Sequence, residues 1–444
     1  MDSDDEIDSR DSQQSSDAEG GDPSPFSEEE YGLDETLQPF NSNTPSILQP
    51  NRKPFAEDCK TYDIVPLVAA IHACHIHSLD ATKNMRWVFT GGEDGFIRKY
   101  DFFSSMGGKT LLTQNQKHTQ VESVQKAGVI LSYWENEEIP ISLPATDKPE
   151  KPDGIAEDDA TQNVQEPPLP DLKMSPAHSL AVQSEAVWLL SGLESGAINL
   201  FTVRHEEGRC HHVMRQHKSP VSVLKITNDE MGFVSGSWDK SVLHWDLNTG
   251  QVVREYSGHM FEESDNTIIH SADILLTTSI DGNCLVWDKR SGNLIPRKLP
   301  LPEKTPPWLV GVPMAIKFTV GDVMEPWNSW LVDEWDFASG KHIRSFKMPS
   351  NSGPVSCVAS MPNGRHIVCA STDNIRLWNV SNDESDATRS IVPFLIVPGH
   401  HGGTISQILI DPNCRYMITT SGNRGWEGLT TETALFYEII PIMK

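Results

Sequence analysis

Four residue types recur together along this chain: His, Ser or Thr, Asp and Trp. They stand as His217, Ser235, Asp239 and Trp245, and again as His259, Thr277, Asp281 and Trp287, with Asp and Trp six residues apart in both sets. Asp, His and Ser in one molecule invite comparison with a hydrolase triad. Two features argue against it. A single active site does not repeat along a chain, and a nucleophilic Ser needs an exposed, strained turn of the GxSxG kind, which the sequence lacks. The sets are read instead as structural tetrads. A buried Asp···His···Ser/Thr···Trp chain ties strands to a turn and satisfies polar groups whose unpaired burial costs about 1–3 kcal/mol each.

Other candidates for chemistry are weighed the same way. His72, Cys74, His75 and His77 crowd the stretch IHACHIHSL. As one alternating strand it turns His75 and His77 to one side with Ala73, and His72, Cys74 and Ile76 to the other. No second ligand pair follows at zinc-like spacing, so packing is expected and no metal site. GGEDGF at 91–96 is glycine-rich but opens no helix, and no GxxxxGK[ST] run is present, so no phosphate cradle is expected. The sequence therefore predicts a protein that is not an enzyme, with no catalytic residue and no cofactor.

Residues suited to binding a partner are easier to find. In SYWENEE, Tyr133 and Trp134 lead into Glu135, Glu137 and Glu138, an aromatic anchor with an acidic flank suited to a basic partner. GNRGWEG presents Arg424 and Trp426 on a glycine-punctuated loop, and Trp238 stands beside a tetrad Asp. Trp134, Glu135, Glu137, Glu138, Trp238, Arg424 and Trp426 are the candidate partner contacts. WDKR at 287–290 resembles the box of substrate receptors of cullin ubiquitin ligases, with Arg290 as contact. That receptor role is the alternative function.

The elements that must position these residues repeat. Each unit is a strand, a turn carrying Asp or Gly, a second strand, and an aromatic followed by a polar or acidic residue. Seven units end at Asp101, Thr202, Asp246, Asp288, Asp336, Asn379 and Glu438. A repeat near 40 residues closing on a WD dipeptide marks four-stranded propeller blades, and a closed ring removes free sheet edges. The fold predicted is all-β, a seven-bladed WD-repeat propeller over residues 61–444. The first unit keeps Thr90, Asp94 and Tyr100; the second is degenerate, with Ser195 and Phe201 in place of Asp and Trp; the sixth keeps Asp373 and Trp378. Residues 309–330 lack the strand pattern and are read as an insertion or a misassigned stretch of coding sequence.

Charge is concentrated in two places. Of the net −26, residues 1–35 carry −13 and residues 135–171 carry −9, leaving −4 for the rest. Residues 1–60 are acidic and rich in Ser and Pro. Residues 139–171 add seven prolines to their acids. Both are expected to be disordered, the second as an insertion in the propeller. Clustered Lys and Arg for duplex binding are lacking, so no sequence-specific nucleic-acid contact is expected. No run of 18 apolar residues is present and the N-terminus lacks an apolar signal core, so neither a membrane span nor a secretory signal is expected. Seven scattered cysteines without a CxxC pair suit reduced thiols.

The stretches FTGGEDGFIRKYDFFSSMGGKTLL (89–112), HTQVESVQKAGVILSYWENEE (118–138), SGSWDKSVLHWDLNTG (235–250), TPPW (305–308) and SGNRGWEG (421–428) are more particular than any WD dipeptide. They resemble the WD-repeat subunit of the SAGA transcription coactivator, the eighth suppressor-of-Ty protein family. The likeness covers nearly all of residues 62–444 except 309–330 and the acidic loop. It implies a nuclear, non-catalytic scaffold of a histone-acetylating coactivator, with TATA-binding protein and other SAGA subunits as partners. It also implies a role in recruiting TATA-binding protein to promoters transcribed by RNA polymerase II.

Overall fold

The computed structural model describes residues 56–138, 173–257, 268–270, 274–278, 284–289, 331–336, 341–349, 355–372, 374–380, 394–400, 403–422 and 431–443. The chain divides into units 1–49 and 50–444, and every described residue belongs to the second. The acidic insertion and residues 309–330 lie outside the described residues. So do residues 1–55, whereas Ala56 and Cys59 are already buried, so the packed body starts a little before residue 61.

The repeat units become antiparallel meanders. The first is Ile76–Ala81, Trp87–Gly92, Phe96–Asp101 and Val129–Glu135. The second is Ser179–Val182, Trp188–Gly192, Ala197–Thr202 and Arg209–Arg215. The third is Val221–Ile226, Gly232–Ser237, Ser241–Asp246 and Gln251–Ser257. The fourth shows Ile268–His270, Ile274–Thr278 and Cys284–Asp288, and the fifth shows Leu331–Asp336 and Lys341–Lys347. The sixth is Cys357–Ser360, His366–Ala370, Ile375–Asn379 and Phe394–Val397. Among the described residues, the third strands of the other five sheets, and Leu331–Asp336 of the fifth, end on the residues at which the repeat units end in the sequence.

The seventh sheet joins the two ends of the body. Thr404–Ile410, Tyr416–Gly422 and Thr433–Ile442 are completed by Thr61–Ile71, paired antiparallel from Thr61 with Ile442 to Ile71 with Thr433. The register slips between Pro66 and Val68, where proline has no N–H to give the ladder. First strands of successive meanders lie side by side: Thr404–Ile410 beside Ile76–Ala81, that beside Ser179–Val182, and that beside Val221–Ile226. This is the arrangement of blades around an axis, and the described sheets bury their faces against one another. Phe89, Ile97 and Trp134 of the first sheet pack with Leu180, Leu189 and Phe201 of the second. Leu190 and Ile198 of the second pack with Phe233, Leu243 and Trp245 of the third. Each such side chain contributes about 1.5–3 kcal/mol by leaving water.

An excursion inside the first sheet ties it to the seventh. Asp101 caps the short helix Phe102–Gly107 by accepting the Ser104 N–H at 2.7 Å. Phe102 is fully buried against Tyr416 and Phe436 of the seventh sheet, with ring centroids 4.8 and 5.4 Å away. Lys126–Ala127 then pairs parallel with Val68 and Ala69, adding a fifth strand to that sheet.

Candidate interaction face

The tetrad of the third sheet forms as its residue types predict. His217 Nδ1 lies 3.1 Å from Asp239 Oδ2, and His217 Nε2 lies 2.7 Å from Ser235 Oγ. Trp245 Nε1 donates to the same Ser235 Oγ at 2.8 Å. Asp239 also accepts the backbone N–H groups of Lys218 at 2.9 Å and Ser241 at 3.0 Å. Burial alone raises the Asp239 pKa. Hydrogen bonds from His217, Ser241 and the Lys218 N–H outweigh it and hold the carboxyl well below the usual carboxylate range. In the fourth sheet Trp287 Nε1 donates to Thr277 Oγ1 at 2.9 Å, while His259 and Asp281 lie outside the described residues.

The first sheet wires the same positions differently, and this corrects the single-strand reading of IHACHIHSL. One strand ends at Ile71 and the next begins at Ile76, so His72 to His75 lie on the link between sheets. His72 is buried and lies 2.9 Å from Thr90 Oγ1 and 3.2 Å from Tyr100 Oη, the place a tetrad His takes. Its other nitrogen sits 3.0 Å from the Ala70 carbonyl, while Asp94 pairs with Arg98. Burial, seconded by the Arg98 charge, lowers the His72 pKa to about 4.

Topology decides which of the candidate contacts share a face. In each meander the turn from second to third strand and the link to the next sheet lie at the same end. That end carries Trp238 in the turn Ser237–Ser241, His75 in the link 71–76, and Gly422, where the link holding Arg424 and Trp426 departs. Arg424 and Trp426 lie outside the described residues; the base of their link is pinched by Ser421 Oγ donating to the Thr431 carbonyl at 2.6 Å. A Cβ on Gly422 would collide with the His75 ring, so only glycine lets the two sheets approach here.

The acidic insertion leaves from that end too. Glu137–Glu138 pairs with Lys173–Met174 across its base. Between Glu135 and Glu137 sits Asn136, fully buried, which the sequence reading passed over. Its backbone N–H donates to the Gly95 carbonyl at 2.7 Å and its Nδ2 to the Ser175 carbonyl at 3.1 Å. Asn199 Nδ2, from the second sheet, donates to the Glu137 carbonyl at 2.9 Å. One amide among the acids of WENEE was the available signal. Trp134 is the main correction. The strand pleat turns it inward, 8% exposed between Phe89 and Phe201, while Tyr133 points outward at 65%. Gly208, with φ +79, leaves room for the Trp134 indole that a side chain would fill. Glu135 is exposed, and Glu137 and Glu138 are half-buried.

Fold and face together define a WD-repeat β-propeller whose polar clusters serve the architecture. The chain belongs to the SPT8 beta-propeller family, whose profile matches residues 62–267 and 259–440. It is 35% identical to SAGA complex subunit SPT8 of Saccharomyces cerevisiae, over 86% of this chain and 73% of that protein. It is likewise 35% identical to SAGA complex subunit Spt8 of Schizosaccharomyces pombe, over 87% of this chain and 81% of that one. Neither relative supports the ubiquitin-ligase reading, and Arg290 lies outside the described residues.

Proposed function

We propose that the chain is a seven-bladed, non-catalytic subunit of a SAGA coactivator in the nucleus, and that it binds TATA-binding protein and regulates its recruitment to promoters. The observation that carries this reading is the match along the whole propeller to two relatives named as SAGA subunits. The partner proposal rests on the family resemblance and on charge: a DNA-binding protein presents a basic surface, and this chain carries its −26 largely in two acidic segments.

Two measurements test it. Purification of the tagged full chain from cells should bring acetyltransferase subunits with it. Titration with purified TATA-binding protein, with and without a TATA duplex and across a salt series, should show direct binding that weakens with salt and changes with the duplex. Absence of the acetyltransferase would remove the complex from the reading. No binding at low salt would remove the partner.

A further inference from the structure

A row of aromatic rings crosses the candidate face from sheet to sheet. His75 and His77 have ring centroids 4.5 Å apart, His77 and His178 5.0 Å, and His178 and Trp238 6.0 Å. The row begins on the link into the first sheet, passes the entrance of the second and ends on the Ser237–Ser241 turn of the third. Its far end sits on a hydrogen-bonded turn, where the Trp238 N–H donates to the Pro220 carbonyl at 3.1 Å. Asp239 is held by His217, Ser241 and the Lys218 N–H, and its neighbour Trp238 is 36% exposed. Glu93, on the Gly92–Phe96 turn, and Glu194, on the equivalent turn of the second sheet, stand exposed beside the row.

We infer that this row is a docking site for an extended segment of a basic protein partner, with an Arg or Lys side chain stacked on Trp238 and His178 and paired with Glu93 or Glu194. Three arguments carry it. Aromatic faces attract cations, and Trp most strongly. The flanking acids supply complementary charge, and Lys173 reaches Glu194 only at 4.0 Å in an exposed pair that a better-placed charge displaces. Burial, added to by its neighbours His75 and His178, lowers the His77 pKa to about 3, and burial lowers that of His75; these two imidazoles are therefore neutral near pH 7 and do not repel a cation. The site rests on the proposed function only in that its occupant is basic. It adds the face, the anchor residues and the form of the occupant.

The test uses the full chain and a fluorescein-labelled nonapeptide of alternating Arg and Gly, followed by polarisation at moderate salt. Wild type binds the probe. Trp238→Ala weakens binding by about tenfold or more, Trp238→Phe retains most of it, and Glu93→Gln with Glu194→Gln weakens it and flattens its salt dependence. Phe103→Ala, an exposed aromatic at the opposite end of the first sheet, leaves binding unchanged. The inference is overturned if wild type fails to bind the probe, if Trp238→Ala binds as tightly as wild type, or if Phe103→Ala loses as much. Titrating TATA-binding protein in parallel separates the two readings. Failure of wild type to bind it sinks the proposed partner and leaves the probe result intact. A probe insensitive to Trp238 sinks the docking site even when TATA-binding protein binds.

Discussion

At the residue scale, a hydrolase-like set of side chains here does structural work because its members are inward-facing and mutually satisfied. Ser235 Oγ meets both the His217 ring and the Trp245 indole N–H, so it has no free geometry for attack on a substrate. Asp239→Asn should lower stability by about 1–3 kcal/mol in urea unfolding, because it removes a charged acceptor of several hydrogen bonds. Because the folded Asp239 pKa is depressed, its contribution is whole above the ordinary carboxylate range near ~4 and is lost as pH falls below it. The histidines act earlier in the same direction. His72 and His77 have folded pKa values of about 4 and about 3, below the 6.5 of a free imidazole. The unfolded chain therefore takes up protons first, and stability falls as pH drops from about 6.5 towards 4. His77→Gln, which cannot take the proton, should flatten Tm against pH across that window; an unchanged slope would show that His77 does not carry it.

At the element scale, the pleat and the short ties between strands assign roles that residue type leaves open. Tyr133 and Trp134 are neighbours of similar chemistry, and alternation alone sends one outward and one inward. Trp134→Ala should cost about 3–5 kcal/mol, as large core truncations do, while Tyr133→Ala should leave the urea midpoint near that of wild type. Equal costs would contradict the register of the strand Val129–Glu135. Asn136 ties that strand to the second sheet and to the return of the insertion. Asn136→Ala should destabilise by about 1–3 kcal/mol, by stranding the Ser175 carbonyl, and should speed proteolytic cleavage at the insertion base. Cleavage at the wild-type rate would show that the neck is held by other contacts.

At the scale of the whole molecule, the architecture separates a nearly neutral body from the charge it carries. With residues 1–49 and 139–171 removed, affinity for TATA-binding protein should fall, and the slope of log affinity against log salt should become shallower. An unchanged slope would place the electrostatic contact on the body itself. The termini of the propeller meet in one sheet, and the excursion through Phe102 and Lys126–Ala127 holds the first sheet to the last.

The sequence by itself determined the repeat, because period-2 alternation, turn residues and a closing aromatic recur locally and, among the described residues, the complete units build the same meander. It also determined one tetrad: in the third sheet His217, Ser235, Asp239 and Trp245 came together as their order implied. Only the tertiary structure decided matters that depend on neighbouring sheets. It broke IHACHIHSL between two blades, gave Asp94 to Arg98 instead of His72, and buried Trp134 against a sheet that begins more than 40 residues later. It also set His75, His77, His178 and Trp238 in one row. Those residues span more than 160 positions, and no local period relates them; they meet because the first strands of successive blades pack side by side around the axis.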